Sequence, residues 1–155
     1  MTAIQHWLAN PFLVWPVFIG LSLASSWVTS MISGWRALAD RYASGADQFR
    51  GQRRYLQSGA MRWRLHYNNI LTIGADEGGL YLGVLFLFRA GHPPLYIPWR
   101  EISVVERQGW FFSYVDFHFN ALPDLKLTVT KKLGAAVARE GGRPIASELT
   151  LYREL

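Results

Sequence analysis

The sequence predicts an α+β chain: one N-terminal transmembrane helix, then a small antiparallel β sandwich or barrel of six or seven strands, then a short C-terminal helix. Three observations predict it. Residues 12–33 carry no charge. From Arg53 onward, alternating or wholly apolar runs are separated by turn residues, the texture of an antiparallel sheet. Lys131 to Glu140 has amphipathic helical spacing and stops at Gly141 and Gly142. The expected organisation is an anchor and juxtamembrane helix over residues 1–43, a linker over 44–52, a β domain over 53–141 and a tail over 142–155. With 155 residues in all, only one compact domain of about a hundred residues fits behind the anchor.

The anchor segment, FLVWPVFIGLSLASSWVTSMIS, would span about 33 Å as a helix, enough to cross a hydrocarbon core of about 30 Å. Asn10 followed by Pro11 has the form of an N-cap and a first-turn proline, and Pro16 is expected to kink the helix slightly. A secretory signal peptide would carry a positive n-region, whereas residues 1–11 hold no Lys or Arg. A buried core helix would show a charged stripe, and no charge occurs before Arg36. Arg36, Arg41, Arg50, Arg53 and Arg54 all follow the span, which predicts a single-pass inner (plasma) membrane protein with its N-terminus outside and its C-terminal domain in the cytoplasm. Trp7 and Trp35 fall where an interfacial aromatic belt would lie. Ser22, Ser26, Ser30 and Gly34 recur every four residues, a small-residue face suited to helix–helix packing or self-association.

Trp35, Leu38, Ala39 and Tyr42 continue one helical face beyond the span, so the helix is expected to run past the bilayer surface before SGAD at 44–47 breaks it. Between Asp47 and Asp76 there is no acidic residue, while Arg50, Arg53, Arg54, Arg62 and Arg64 fall in that window. Together with Arg36, Arg41 and Trp35 they form a candidate surface for an anionic leaflet.

In the β region, Met61, Trp63 and Leu65 alternate with Arg62, Arg64 and His66, so Trp63 is expected to face the core. Asn68 and Asn69 suggest a turn, and Leu71 to Ala75 a short strand. DEGG at 76–79 suggests a hairpin into an apolar strand from Leu80 to Phe88. Leu95 to Trp99 opens the next strand, which Pro98 places at an edge or a bulge. Glu101 to Arg107 alternates, Gly109 turns, and Trp110 to Phe119 reads as an aromatic strand. Leu125, Leu127 and Val129 form the last strand.

The segments LTIGADEGGLYL (71–82) and LYIPWREI (95–102) resemble strands of pleckstrin-homology and GRAM-like domains, over about residues 53–140. The resemblance implies strands followed by one helix, and a role in interaction or oligomerisation. Phosphoinositide-binding members use a basic first hairpin loop, whereas this chain has the acidic DEGG there. SGWRALA (33–39) and GHPPLYIPW (91–99) are also similar to small bacterial membrane-anchored proteins, a likeness that implies no particular activity.

Only 17% of residues are charged, and seven Trp, seven Tyr and nine Phe push the balance toward membrane association. The absence of cysteine excludes disulfides, thiolate metal sites and a Cys nucleophile. No Walker A, GxGxxG, HExxH, GxSxG or EF-hand pattern occurs, so no catalytic residue, metal ligand or cofactor is assigned. The expected role is non-enzymatic: a membrane-tethered adaptor or scaffold whose β domain meets a protein partner or the anionic membrane surface, with Trp99, Trp110, Phe111 and Phe112 as the candidate partner surface. The alternative is a small membrane enzyme or enzyme subunit using Asp116 and His118, which share one strand face, with His66 or His92 as a third group. The net charge of +5 also suits nucleic acid, but topology already accounts for arginines beside the span, and no nucleic-acid partner is assigned.

Overall fold

A computed structural model of the chain describes residues 11–62 and 65–147. Helix α1 spans Pro11–Ser33 and α2 spans Trp35–Tyr42, followed by a 3-10 turn at Ala43–Gln48. The strands are β1 (Gln52–Met61), β2 (Leu65–Ala75), β3 (Gly79–Val84), β4 (Leu95–Pro98), β5 (Ile102–Gln108), β6 (Ser113–Phe119), β7 (Lys126–Thr130) and β8 (Ala146–Ser147). Helix α3, Lys131–Glu140, lies between β7 and β8. Among the described residues, one curled sheet contains all eight strands in the order β4-β3-β2-β1-β7-β6-β5-β8, a half-barrel. Every pairing is antiparallel except β5 with β8. The two halves meet at β1 and β7 through one residue pair, Ala60 with Thr128.

Helix α1 continues through Pro16, and the N-cap expected at Asn10, like Trp7, lies outside the described residues. The helix does not run on as expected. Gly34, at φ +80°, breaks it, and a side chain there would also overlap Leu125. This left-handed elbow turns α2 onto the β domain, where Trp35 and Leu38 are completely buried. Trp35 is therefore a core residue and not an interfacial one.

The domain consequently starts about 18 residues before the expected boundary at Arg53. The expected linker is not free either, because Ala46 and Phe49 pack with Tyr81 and Tyr96. The main core joins Trp35, Leu38, Tyr67, Leu71, Ile73, Leu80, Leu82, Ile97, Phe117, Phe119, Leu127 and Val137. Alternation explains most of this list: Val115, Phe117 and Phe119 on β6 and Leu127 and Val129 on β7 face the same way and are buried.

Three local expectations change. Asn68 and Asn69 do not turn the chain but lie within β2, where Asn69 has φ +54° opposite a register shift in β1 and takes hydrogen bonds to Ser58. Asparagine tolerates the left-handed region as readily in a bulge as in a turn. The strand after Leu80 stops at Val84, and Phe86–Phe88 coil as a 3-10 turn. Trp110–Phe112 form the β5–β6 turn, closed by Gly109 N–H to Phe112 O at 2.9 Å, and the strand starts only at Ser113. The Asp76–Gly79 hairpin, the edge position of β4 with Pro98, and α3 fall where the sequence put them. The orientation of Trp63 lies outside the described residues.

A chain beginning at Arg50 lacks Trp35 and Leu38, and losing such buried side chains costs about 2–5 kcal/mol each, of the order of a domain's whole stability. It should show no cooperative thermal transition by circular dichroism. A chain beginning at Ser33 should keep one.

Candidate functional site

Two features stand out, a polar joint between α1 and the β domain and a groove over the β1–β7 seam. At the joint, Ser26 Oγ donates to Phe88 O at 2.9 Å, with Ala90 O at 3.2 Å. His92, buried, places Nδ1 3.4 Å from Ser26 Oγ and Nε2 3.1 Å from the Tyr67 hydroxyl. The tautomer protonated on Nδ1 satisfies every group: Tyr67 donates to Nε2, Nδ1 donates to Ser26, and Ser26 donates to Phe88. Trp35 Nε1 donates to Pro93 O at 2.9 Å, and its ring lies against those of Tyr67 and His92. A cleft of about 240 Å³ opens beside this network, lined by Ser22, Ser25, Ser26 and Thr29 of α1 and by His66 and Tyr67 of β2.

Small residues make the joint possible. Ser26 and Ser30 are buried, and a side chain on Gly91, itself at φ +78°, would come within 2.6 Å of Ser30 Oγ. The face of Ser26, Ser30 and Gly34 is thus occupied by the chain's own β domain and is not open to a second helix. Ser22 alone stays partly exposed, its hydroxyl donating to Phe18 O at 2.8 Å.

The groove, about 820 Å³, is lined by Arg62, His66, Arg107, Tyr114, His118 and Lys126 among others. Beneath it Asp116 is buried and receives Lys126 Nζ at 2.7 Å, Arg107 Nε at 3.2 Å and Thr128 Oγ1 at 2.6 Å. Burial pushes the Asp116 carboxyl up, but the bonds from Lys126 and Thr128 and the Lys126 and Arg107 charges outweigh it and hold the group below the usual carboxylate range. His118 is pushed down by burial and by Lys126, against the opposing pull of Asp116. The structure therefore brings His66 and His118 to one groove, but the Asp116 oxygens are taken by neighbouring donors. Arg62 Nε is buried there with no hydrogen-bond partner among the described residues. Sequence reasoning missed Arg107 and Lys126, whose signal was cross-strand register: Asp116 pairs with Thr128 and Val105, each two residues along its strand from one of the cations and so on the same face.

The other expected site residues scatter. Arg36, Arg41 and Arg50 are exposed. Arg53 lies 4.5 Å over the Tyr81 ring, while Arg54 pairs with Glu140 of α3 and Arg62 faces the groove, so these arginines do not make one continuous surface. Arg64 lies outside the described residues. Trp99 is buried, its Nε1 donating to Asp76 O at 2.7 Å, and so does not belong to an exposed aromatic surface. Trp110, Phe111 and Phe112 are 93%, 84% and 71% exposed at the β5–β6 tip.

The chain matches no family model, no curated protein and no solved structure.

Two stability measurements follow. Asp116→Asn should lower stability by about 1–3 kcal/mol at neutral pH. Because the folded pKa is depressed, the stabilisation is present above the unfolded value of about 4 and lost as pH falls through the folded one, so the variant should also lose part of the acid limb in urea titrations. His92 is pushed down by burial, against the opposing carbonyls of Ala90 and Phe88. The unfolded chain thus binds its proton first, and stability should fall as pH drops below about 6.5. His92→Gln together with His118→Gln should flatten that limb.

Proposed function

We propose that this protein is a single-pass, membrane-tethered adaptor, with a non-enzymatic β domain held rigidly at the cytoplasmic face of the inner membrane and presenting the β5–β6 tip to a protein partner. The observation that carries the reading is the asymmetry of α1. Its outer surface is apolar and open, with Phe12 at 85%, Phe18 at 63% and Leu21 at 67% exposed, while its other face is fixed to the β domain through Ser26 and Ser30. An uncharged surface of that extent is costly in water and suited to lipid.

Arg36, Arg41 and Arg50, exposed just after α1, support a cytoplasmic position for the domain. Seven antiparallel strands followed by α3 support the resemblance to pleckstrin-homology and GRAM-like domains, and the short parallel β8 is an addition to that order. An interaction role is supported further by Trp110, Phe111 and Phe112, since three consecutive exposed aromatics are a costly surface for a domain that meets nothing.

A chain without cysteine allows a direct test. Phe112→Cys in the full-length protein should be labelled by a membrane-impermeant maleimide only after the cytoplasmic side is opened, and should cross-link to a protein partner. Trp110→Ser with Phe111→Ser and Phe112→Ser should stay in the membrane through alkaline extraction but lose that partner. Labelling from the outside, or release of the intact chain by alkaline extraction, would overturn the reading.

A further inference from the structure

The connection between β3 and β4 carries apolar side chains where a solvent-facing loop would carry polar ones. Phe86 is 74% exposed and Leu87 62%. This segment is not a free loop, because its backbone is tied to α1 by Ser26 Oγ, which donates to Phe88 O at 2.9 Å with Ala90 O in reach. Ser26 lies seven residues before the end of α1 at Ser33, or about 10 Å along the helix axis. A segment fixed at that level shares whatever medium surrounds the second half of α1, where Trp27, Val28 and Met31 are exposed.

We infer that Phe86 and Leu87 form a wedge inserted among the lipid acyl chains of the leaflet next to the β domain, so that this domain is partly sunk into the membrane and not merely tethered above it. The inference rests on the reading of α1 as a membrane span.

The backbone of the segment is built for such a place. A chain in a bilayer has to satisfy its polar groups internally. Here Leu85 N–H donates to Ile70 O at 2.9 Å, Phe88 N–H to Leu85 O at 2.9 Å, Arg89 N–H to Phe86 O at 3.3 Å and His92 N–H to Arg89 O at 2.9 Å. The tight 3-10 coil at Phe86–Phe88 that replaced the expected end of a strand pairs part of these groups within the segment itself. Arg89, exposed directly after the coil, has the long stem that lets a charge reach the phosphate level while its backbone sits deeper. Lipid is favoured over protein as the occupant because the coil is tied to α1 at Ser26, beside the exposed apolar side chains of Trp27, Val28 and Met31.

The experiment uses the full-length chain in vesicles of equal parts phosphatidylethanolamine and phosphatidylglycerol. Single cysteines at Leu87, Phe18 and Lys132, as Leu87→Cys, Phe18→Cys and Lys132→Cys, carry an environment-sensitive fluorophore. Phe86→Cys duplicates Leu87→Cys in case one label perturbs the coil. The wedge predicts that probes at 86 and 87, like that at 18, are quenched several-fold more by spin-labelled acyl chains than by aqueous iodide, with the reverse at 132. Iodide quenching at 86 and 87 with lipid quenching at 18 would overturn the wedge and leave the anchor standing. Iodide quenching at all of these positions would remove the anchor and the wedge with it. Shielding of 86 and 87 from both quenchers would mean that a second copy or another protein covers them, and would overturn lipid as the occupant.

Discussion

The placement of the β domain on α1 depends on one contact, the docking of the second half of α1 against the β3–β4 connection. Ser26 supplies the hydroxyl, Gly91 the absent side chain, and Trp35 and His92 the rings that seal the joint. Hydrogen bonds at a joint of this kind are worth more than their net value in water, since leaving the carbonyls of Phe88 and Pro93 unpaired would cost the full desolvation of each. The contact also decides how every other surface is presented. With α1 fixed to the domain and the chain turned at the Gly34 elbow, the β sheet takes its orientation from the helix.

A second organising group is Asp76. Its carboxylate accepts from the backbone N–H of Gly78 and Gly79 at 3.0 Å each, from Arg50 N–H at 3.0 Å and from the Tyr96 hydroxyl at 2.6 Å. Burial raises its pKa, but these donors prevail and keep it below the usual range, while burial, together with the Asp76 carboxylate, pushes the Tyr96 phenol up to about 12. One turn residue thus joins the β2–β3 hairpin, the start of β1 and the edge strand β4. The sequence reading of Asp76 as a turn former was right in kind and too small in reach.

What was legible in the sequence was local. Helix α1 is a run of uncharged residues, α2 and α3 follow the 3.6-residue period, and the hairpin at Asp76 is a short pattern of turn residues, so each was readable from neighbours along the chain. What was not legible involves partners far away in sequence. Trp35 looked like a belt residue because its acceptor, Pro93, lies 58 positions on. Trp99 looked free because Asp76 O was not in view, and the serine face looked available because nothing local announced that Phe88 and Ala90 would cover it. The groove was half legible: His66 and His118 were candidates from residue type, whereas Arg107 and Lys126 were joined to Asp116 only by strand register.

The single residue pair at the β1–β7 seam has a consequence for how the molecule assembles. Hydrogen bonding across the seam is slight, so closure falls to helix α3, which packs on β2 as well as on β6 and β7, and to the pairing of Arg54 with Glu140. Contacts separated by about a hundred residues form slowly, whereas a helix such as α1 needs only its own turns and forms in about a microsecond. The order of events is therefore fixed by topology. The apolar helix is complete while the half-barrel is still open, and the β3–β4 connection docks on a helix face that is already formed.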